Sequence, residues 1–443
     1  MSLDDALTPW LEHALTETAA PGIAVGVVFG DETVVRCHGV ADTARRHPVT
    51  TETLFQIASA TKPFTATAVL RLHEQGLLDL DAPVVQYLPD LRLGDPDATA
   101  YVTTRHLLTH TAGFEGDDSP VRDWGADALE ASLPEFAELP QVFPPGQAMS
   151  YSNAGFRLLG ILAQRLSGTP YDELVRDTVL RPLGMSASVF LPWEALGRDV
   201  ALGHGTDGAL WPYAQWRTEL PEGGLLSTID DMMIWARYQL HGSPGGTPVL
   251  SDRLRVAAQQ QAGVASPPLA GVGLPWLLSK RHGAGIVSHG GNLSNVTVST
   301  FDLVPDHALA VCVLANARAG KGLGDRVLRW CLEHLAELPA SPCLTPVQLT
   351  RAAAAEFEGT YELGLGMFLV EPGPTGLRVL IRPREDLTEP HDEFPPVDLV
   401  YLGQDRFGAT SNPGEVFCTF ARDTTDAPEI LHMMGRAAFR RPS

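Results

Sequence analysis

The sequence predicts an α+β protein: an antiparallel sheet flanked by helices, with a helical region inserted, followed by a small all-β barrel at the C-terminus. Strand-like runs stand near both ends of residues 1–340 while helical patterns dominate between them, so one sheet has to gather distant segments. After Pro339-Ala-Ser-Pro342 the texture changes to short strand candidates separated by turn residues. The length of 443 residues accommodates more than one core. The expected division is a first domain over 1–340 and a barrel over 355–443, with no internal repeat of fixed period.

Residues 3–19 read as an amphipathic helix stopped by Pro21-Gly22. The apolar run Ile23 to Phe29, the break Gly30-Asp31-Glu32 and the alternating Thr33 to His38 predict a β-hairpin. From Lys62, the residues Phe64, Ala68, Leu70 and Leu72 continue an apolar helix that stops near Gly76, which places Ser59 at its N-terminus. Residues 80–220 mix helical patterns with Pro/Gly punctuation and contain a periodic helix from Ala154 to Leu166, closed by Ser167-Gly168. Strand-like runs return at Ile286-Val287-Ser288, Asn295 to Phe301 and Leu309 to Leu314, before a helix from Gly324 to Leu338. Barrel strands are expected at Leu377 to Ile381, Val397 to Leu402 and Val416 to Phe420.

Composition removes several classes of function. Hydrophobic content of 44% with 19% charged residues is that of a folded globular chain. A net charge of -21, with no local Lys/Arg cluster, repels a phosphate backbone or an anionic membrane surface, so neither nucleic acid nor a membrane is expected as a partner. The five cysteines are scattered and form no C-x-x-C pair, which suggests neither a disulfide framework nor a zinc site. The N-terminus carries acids where an export signal needs a basic region and an apolar run, and the expected location is cytoplasmic.

Three short motifs carry chemistry. In Gln56-Ile-Ala-Ser59-Ala-Thr-Lys62-Pro63, a lysine three residues after a serine on a helix brings its amine to the same face as the hydroxyl. A lysine acts as a base only if burial or neighbouring positive charge lowers its pKa, and the apolar helix around Lys62 offers that burial. Taken alone the pattern equally fits a surface helix pair. The second motif, Tyr151-Ser152-Asn153, follows the turn Pro144-Pro-Gly146 at the front of a helix. Tyr151 could pass a proton and Asn153 could hold a carbonyl or the lysine, while Ser152 or Asn153 equally reads as a helix cap. The third, Ser288-His289-Gly290-Gly291-Asn292, follows a strand-like run; its glycines let an acyl group approach a strand edge whose amides bind an oxyanion. His289 by itself equally reads as a solvated loop residue.

In this order the three motifs resemble the serine β-lactamase and penicillin-binding protein superfamily, in its class C β-lactamase, D-peptidase and esterase branch. Arg105-His-Leu-Leu-Thr-His110-Thr-Ala-Gly113, Arg181-Pro-Leu-Gly-Met185 and Glu222-Gly-Gly-Leu-Leu-Ser-Thr228 also resemble recurrent segments of that branch, and together the likeness covers roughly residues 15–335. The resemblance implies a β-lactamase/transpeptidase-like fold and an acyl-enzyme on Ser59, with Lys62 as its base and Tyr151 as shared base and acid. Asn153 would contact substrate and lysine, and His289, Gly290, Gly291 and Asn292 would line the substrate strand. The amides of Ser59 and Asn292 would form the oxyanion hole. One departure redirects the substrate: many β-lactamases have a charged lysine where this chain has His289, whereas histidine occurs there in D-peptidases and esterases of the branch. Phe357-Glu-Gly-Thr-Tyr361 and Phe439-Arg-Arg441 resemble the lipocalin-like barrel behind some relatives.

The expected function is a serine hydrolase acting on small peptides, D-amino-acid derivatives or esters, without cofactor or metal. An acyltransferase using the same acyl-enzyme, a weak β-lactamase and a non-catalytic binding protein are the alternatives, and an oligomer is left open. Gly203-His-Gly205-Thr-Asp-Gly208 fits a dinucleotide pattern but lacks the preceding strand and following helix. His106 and His110 belong to the family-like segment rather than to a zinc pair.

Overall fold

The computed structural model describes residues 2–117, 119–205, 207–211, 215–243, 249–265, 267–340, 343–364, 366–384, 395–422, 424 and 427–441. The Pro339 to Pro342 boundary and the Gly203 to Gly208 motif each fall partly outside these residues.

The chain opens with α1 (Leu3–Thr16), whose first turn is closed by a reciprocal cap between Ser2 and Asp5. It ends at Thr16, three residues before the expected end at 19, as the Glu17 and Thr18 amides close the last carbonyls. The hairpin follows as β1 (Gly22–Phe29) and β2 (Glu32–Gly39). Helices α2 (Lys62–Glu74), α3 (Asn153–Ser167) and α4 (Ile229–His241) come next, with short helices and turns between the first two. Ser152 caps α3 by accepting from the Gly155 amide, and Gly168 ends it in the left-handed region at φ 66. The C-terminal part of the sheet is β3 (Gly271–Val272), β4 (Leu277–Arg281), β5 (Ala284–Ser288), β6 (Gly291–Leu293), β7 (Thr297–Val304) and β8 (Leu309–Ala315), followed by α5 (Lys321–His334).

The sheet runs β2-β1-β8-β7-β5-β4-β3, with β6 also paired to β7, and every pairing is antiparallel. Its two central strands alternate between two cores. On β1, Ala24 and Val28 join α2, α3 and α4 through Phe64, Phe156 and Trp235, while Ile23, Val25 and Val27 join α1 and α5 through Leu7, Leu11 and Val327. On β8, Ala310, Cys312 and Leu314 take the first side and Val311 and Val313 the second. Both faces are therefore covered, which explains why these strands read as unbroken apolar runs. Gly26 is required by the packing of α4: a methyl there would meet the Met233 side chain at 2.5 Å. Away from the sheet, Phe55–Gln56 pairs with Leu226–Ser227, which ties the segment entering Ser59 to the segment leaving Glu222.

Among the described residues eight strands close the expected barrel: β9 (Gly359–Leu363), β10 (Gly366–Gly373), β11 (Gly376–Pro383), β12 (Val397–Gly403), β13 (Arg406–Ala409), β14 (Cys418–Arg422), β15 (Pro428–Met433) and β16 (Arg436–Arg440). Closure is made by Tyr361 opposite Arg440 and Glu362 opposite Phe439; Tyr361, Phe439 and Arg440 belong to the two segments that carried the barrel resemblance. The interior holds Phe357, Phe407 and Phe420, whose rings meet one another at 4.9 to 5.4 Å. The barrel docks on the loop before α3, with Phe439 stacked on Phe143 at 5.4 Å and Ala437 buried against Phe143 and Ala148.

Candidate active site

Ser59 lies in a single 3₁₀ turn (Ala58–Thr61) that runs directly into α2. The residue before it, Ala58, has φ 48, in the left-handed region that an alanine rarely occupies. Such strain persists only where the surroundings over-determine the backbone. Here they do: the Ile57 amide donates to Leu225 O, Ile57 O accepts from Ser299 Oγ at 2.7 Å, and Thr61 Oγ1 accepts from the Leu225 amide.

One turn on, Lys62 is buried completely and its amine is tied three ways. Nζ donates to Ser59 Oγ at 3.1 Å, to Asn153 Oδ1 at 2.7 Å and to the Glu222 carbonyl at 2.7 Å. The fold thus brings together residues 91 and 160 positions apart in the chain. Burial pushes the Lys62 pKa down to about 7, opposed by the negative charges of Glu222 and Asp117 and assisted by Arg436. The amine therefore titrates near neutral pH, 3.1 Å from the Ser59 hydroxyl, and its neutral form carries a lone pair able to take a proton.

The Tyr151 ring stands 4.8 Å from Lys62 Nζ and is stacked on His110 at 4.3 Å. Its hydroxyl is sealed from solvent, and its pKa is pushed up chiefly by burial, with the hydroxyl's interaction with Ser59 acting in the opposite sense. The Ser152 amide donates to His110 Nδ1 at 3.1 Å, which leaves the proton of the neutral ring on Nε2.

His289 is also buried. Its Nδ1 faces Gly290 O at 3.0 Å, so Nδ1 carries the proton and Nε2 presents a lone pair without a partner. Burial and then the Lys62 charge push its pKa down to about 3, and the ring is neutral throughout the physiological range. The next two glycines permit the close approach of β6: a methyl on Gly290 would meet Ser299 O at 2.9 Å, and one on Gly291 would meet Ile57 O at 2.2 Å and the Ser59 nitrogen at 2.9 Å. The Asn292 side chain pairs with Asn295, and its backbone, in β6, lies opposite Val298 of β7, next to the glycine that packs on the Ser59 turn.

Two groups at this site escaped the sequence reading. Glu222 was legible only as part of a segment, yet its backbone carbonyl receives the Lys62 amine, and burial pushes its own carboxyl up to about 8. Arg436 is the first residue of β16, just after the turn from β15. It donates to the Tyr151 carbonyl and pairs with Asp117. A cavity of about 530 Å³ lined by Glu52, Arg198, Asp199, Asp230 and Asp231 shares no residue with this cluster. Among the described residues no group of His, Cys, Asp and Glu is arranged to hold a metal, and no helix is long and apolar enough to cross a membrane.

The geometry is a serine beside a buried amine of lowered pKa, a sealed phenol, and a strand edge pressed against the serine amide. The chain as a whole is similar to several known proteins. Penicillin-binding protein 4 of Amycolatopsis lactamdurans is 32% identical over 362 residues, covering 78% of this chain and 94% of that protein. Esterase EstB of Burkholderia gladioli is 32% identical over 359 residues, covering 71% and 90%. The solved structure of SurE with D-Leu superposes with a TM-score of 0.76 at 25% identity and covers 99% of both chains, barrel included. The family model described as Beta-lactamase matches residues 7–332. The chain belongs to the beta-lactamase family and is a serine hydrolase.

Proposed function

We propose that Ser59 is the nucleophile of an acyl-enzyme mechanism acting on small peptides, D-amino-acid derivatives or esters. The observation that carries this reading is the buried Lys62 amine, 3.1 Å from Ser59 Oγ and lowered to a pKa of about 7. Neutral Lys62 takes the Ser59 proton as Oγ bonds to the substrate carbonyl carbon. The resulting oxyanion is held by the amides of Ser59 and Asn292 across the narrow gap at Gly291. Tyr151 then delivers a proton to the leaving amine or alcohol, recovers one from Lys62, and leaves the acyl group as an ester on Ser59. Water completes the cycle: its proton passes to Tyr151 and Lys62, its oxygen attacks the ester carbon, and Ser59 leaves with a returned proton. Asn153 holds Lys62 in line throughout.

The neutral lone pair of His289 favours a substrate that offers a hydrogen-bond donor over one that offers a carboxylate, which weighs against efficient β-lactam hydrolysis. The esterase relative and the relative solved with D-Leu support the substrate class. We assign the mechanism to a domain over 1–340 and treat 355–443 as a second domain. Ser59→Ala, assayed on a short-chain p-nitrophenyl ester and on D-amino-acid p-nitroanilides, is expected to lose turnover by about 10⁴ or more. Undiminished turnover by the purified variant would remove Ser59 from the mechanism. Product analysis with an added amine distinguishes hydrolysis from acyl transfer, since a transferase yields the amide in preference to the acid.

A further inference from the structure

The hairpin of β15 and β16 does more than touch the site: it holds Tyr151 by both of its peptide groups. The Tyr151 amide donates to Gly435 O at 2.9 Å, and the Tyr151 carbonyl accepts from Arg436 Nη1. Its neighbour Ser150 accepts from the Ala437 amide at 3.2 Å and donates to Glu115 at 2.5 Å. Glu115 in turn accepts from the Gly364 amide, just past the end of β9, the strand that pairs with β16. Arg436 is itself fixed, with Nη2 at 2.9 and 2.8 Å from the two Asp117 oxygens and its guanidinium 5.8 Å from the centre of the Tyr151 ring. The side chains of this pair are only 13% and 25% exposed, so the bond is shielded from water.

We propose that Arg436 is a positioning residue for Tyr151, locked in place by Asp117, and that the barrel completes the proton-transfer apparatus rather than merely following it in the chain. The inference rests on the reading of Tyr151 as a proton carrier. Residues 150 and 151 behave as a short extension clamped to the barrel rim. A phenol that must reach both a serine oxygen and a leaving group needs its backbone held still, and a displacement of about 1 Å at such a group costs on the order of 10²-fold in rate.

The charges make a structural role distinguishable from a positioning one. Besides Arg436, the titratable groups around the Tyr151 hydroxyl are Lys62, His110, His289, Glu222 and Asp117. Arg436 lowers the pKa values of Lys62 and Tyr151, and Asp117 raises both. Removing either member of the pair therefore shifts the Lys62 limb of the rate profile, but in opposite directions.

The test uses the full-length chain with Arg436→Met, Arg436→Lys and Asp117→Asn, assayed as kcat and KM on a p-nitrophenyl ester across pH 5.5–9. Arg436→Met is expected to lose about 10² in kcat with little change in KM. Its rising limb moves to higher pH, Asp117→Asn moves the limb to lower pH, and Arg436→Lys recovers part of kcat. Thermal melting reports whether each variant folds, and if Arg436→Met does not, the Asp117→Asn and Arg436→Lys profiles decide. A limb that stays put in both, a shift of the same sign in both, or a rise in KM with kcat preserved overturns the proposal; the last outcome places Arg436 on the substrate instead. Failure of the underlying reading looks different, since Tyr151→Phe would then keep the kcat of the unaltered enzyme.

Discussion

Replacing Lys62 by methionine is expected to change how stability depends on pH in a way that few core substitutions do. The amine falls from an ordinary value of 10.5 to about 7 on folding, because burial penalises the ammonium. Below pH 7 both folded and unfolded chains carry the proton, and the fold bears the whole penalty. The gap of about 3.5 units at about 1.4 kcal/mol per unit puts that penalty at roughly 5 kcal/mol. Between pH 7 and 10.5 the unfolded chain binds a proton that the folded chain does not, so stability rises with pH until the penalty is gone. Methionine has no such term. It does lose three hydrogen bonds and leaves Asn153 Oδ1 and the Glu222 carbonyl without the amine, a cost of about 1–3 kcal/mol each that is independent of pH.

The pH slope, not the offset, is therefore the signature of Lys62. Urea unfolding of both proteins at pH 7 and pH 9.5 is expected to show the wild type gaining about 3 kcal/mol on the variant over that interval. Glu222, raised to about 8, titrates in the same window, so the pair is measured in a Glu222→Gln background as well. A stability difference that stays flat within about 1 kcal/mol would show that Lys62 keeps an ordinary amine pKa, and the base role assigned to it would fall with that result.

Tyr151→Phe is expected to reduce kcat by about 10²–10⁴ while costing only about 1 kcal/mol of stability, because the buried ring keeps its packing and the hydroxyl loses no more than its interaction with Ser59; steady-state kinetics with a thermal melt checks both. Gly291→Ala sets a methyl against the Ile57 carbonyl and the Ser59 nitrogen, neither of which can rotate away, and kcat/KM on the ester should fall by about 10² or more; activity within about 2-fold of wild type would contradict the assigned oxyanion geometry. His289, held near a pKa of 3 by burial, should contribute no limb to the rate profile between pH 5 and 9, leaving one rise near pH 7 that belongs to Lys62; a second inflection near pH 6 that disappears in His289→Asn would show the ring to be protonated in the working range.

The elements that were legible in the sequence are those whose pattern is local. The unbroken apolar strands β1 and β8, the hairpin at Gly30 and the capped helix α3 each carry their signal within a few residues. Helix α4 went unread although Thr228 caps it and Asp230 and Asp231 fill its first turn. Its buried face includes Met232, Trp235, Ala236 and Tyr238, whose match to the sheet becomes evident only once Gly26 and Met233 are seen in contact. Strand β4 was missed because Leu277 to Arg281 is neither alternating nor buried and takes its conformation from β5.

The candidate site divides the same way. Ser59 and Lys62 meet because three residues make nearly one helical turn, and this is readable from spacing. Asn153, Tyr151 and His289 join them through the fold, and only the order of their motifs pointed there. The Glu222 contact is made by a main-chain carbonyl, which has no sequence signal at all. Arg436 and Asp117 lie 319 positions apart, and neither belongs to a patterned segment.

In the proposed mechanism Ser59 is the activated hydroxyl. Incubation of the full-length protein with a fluorophosphonate, followed by intact mass and peptide mapping, tests this most directly. One adduct per chain, located on Ser59, absent from Ser59→Ala and forming faster as pH rises through 7, is the expected result. Labelling at another residue, or equal labelling of the Ser59→Ala protein, would contradict it.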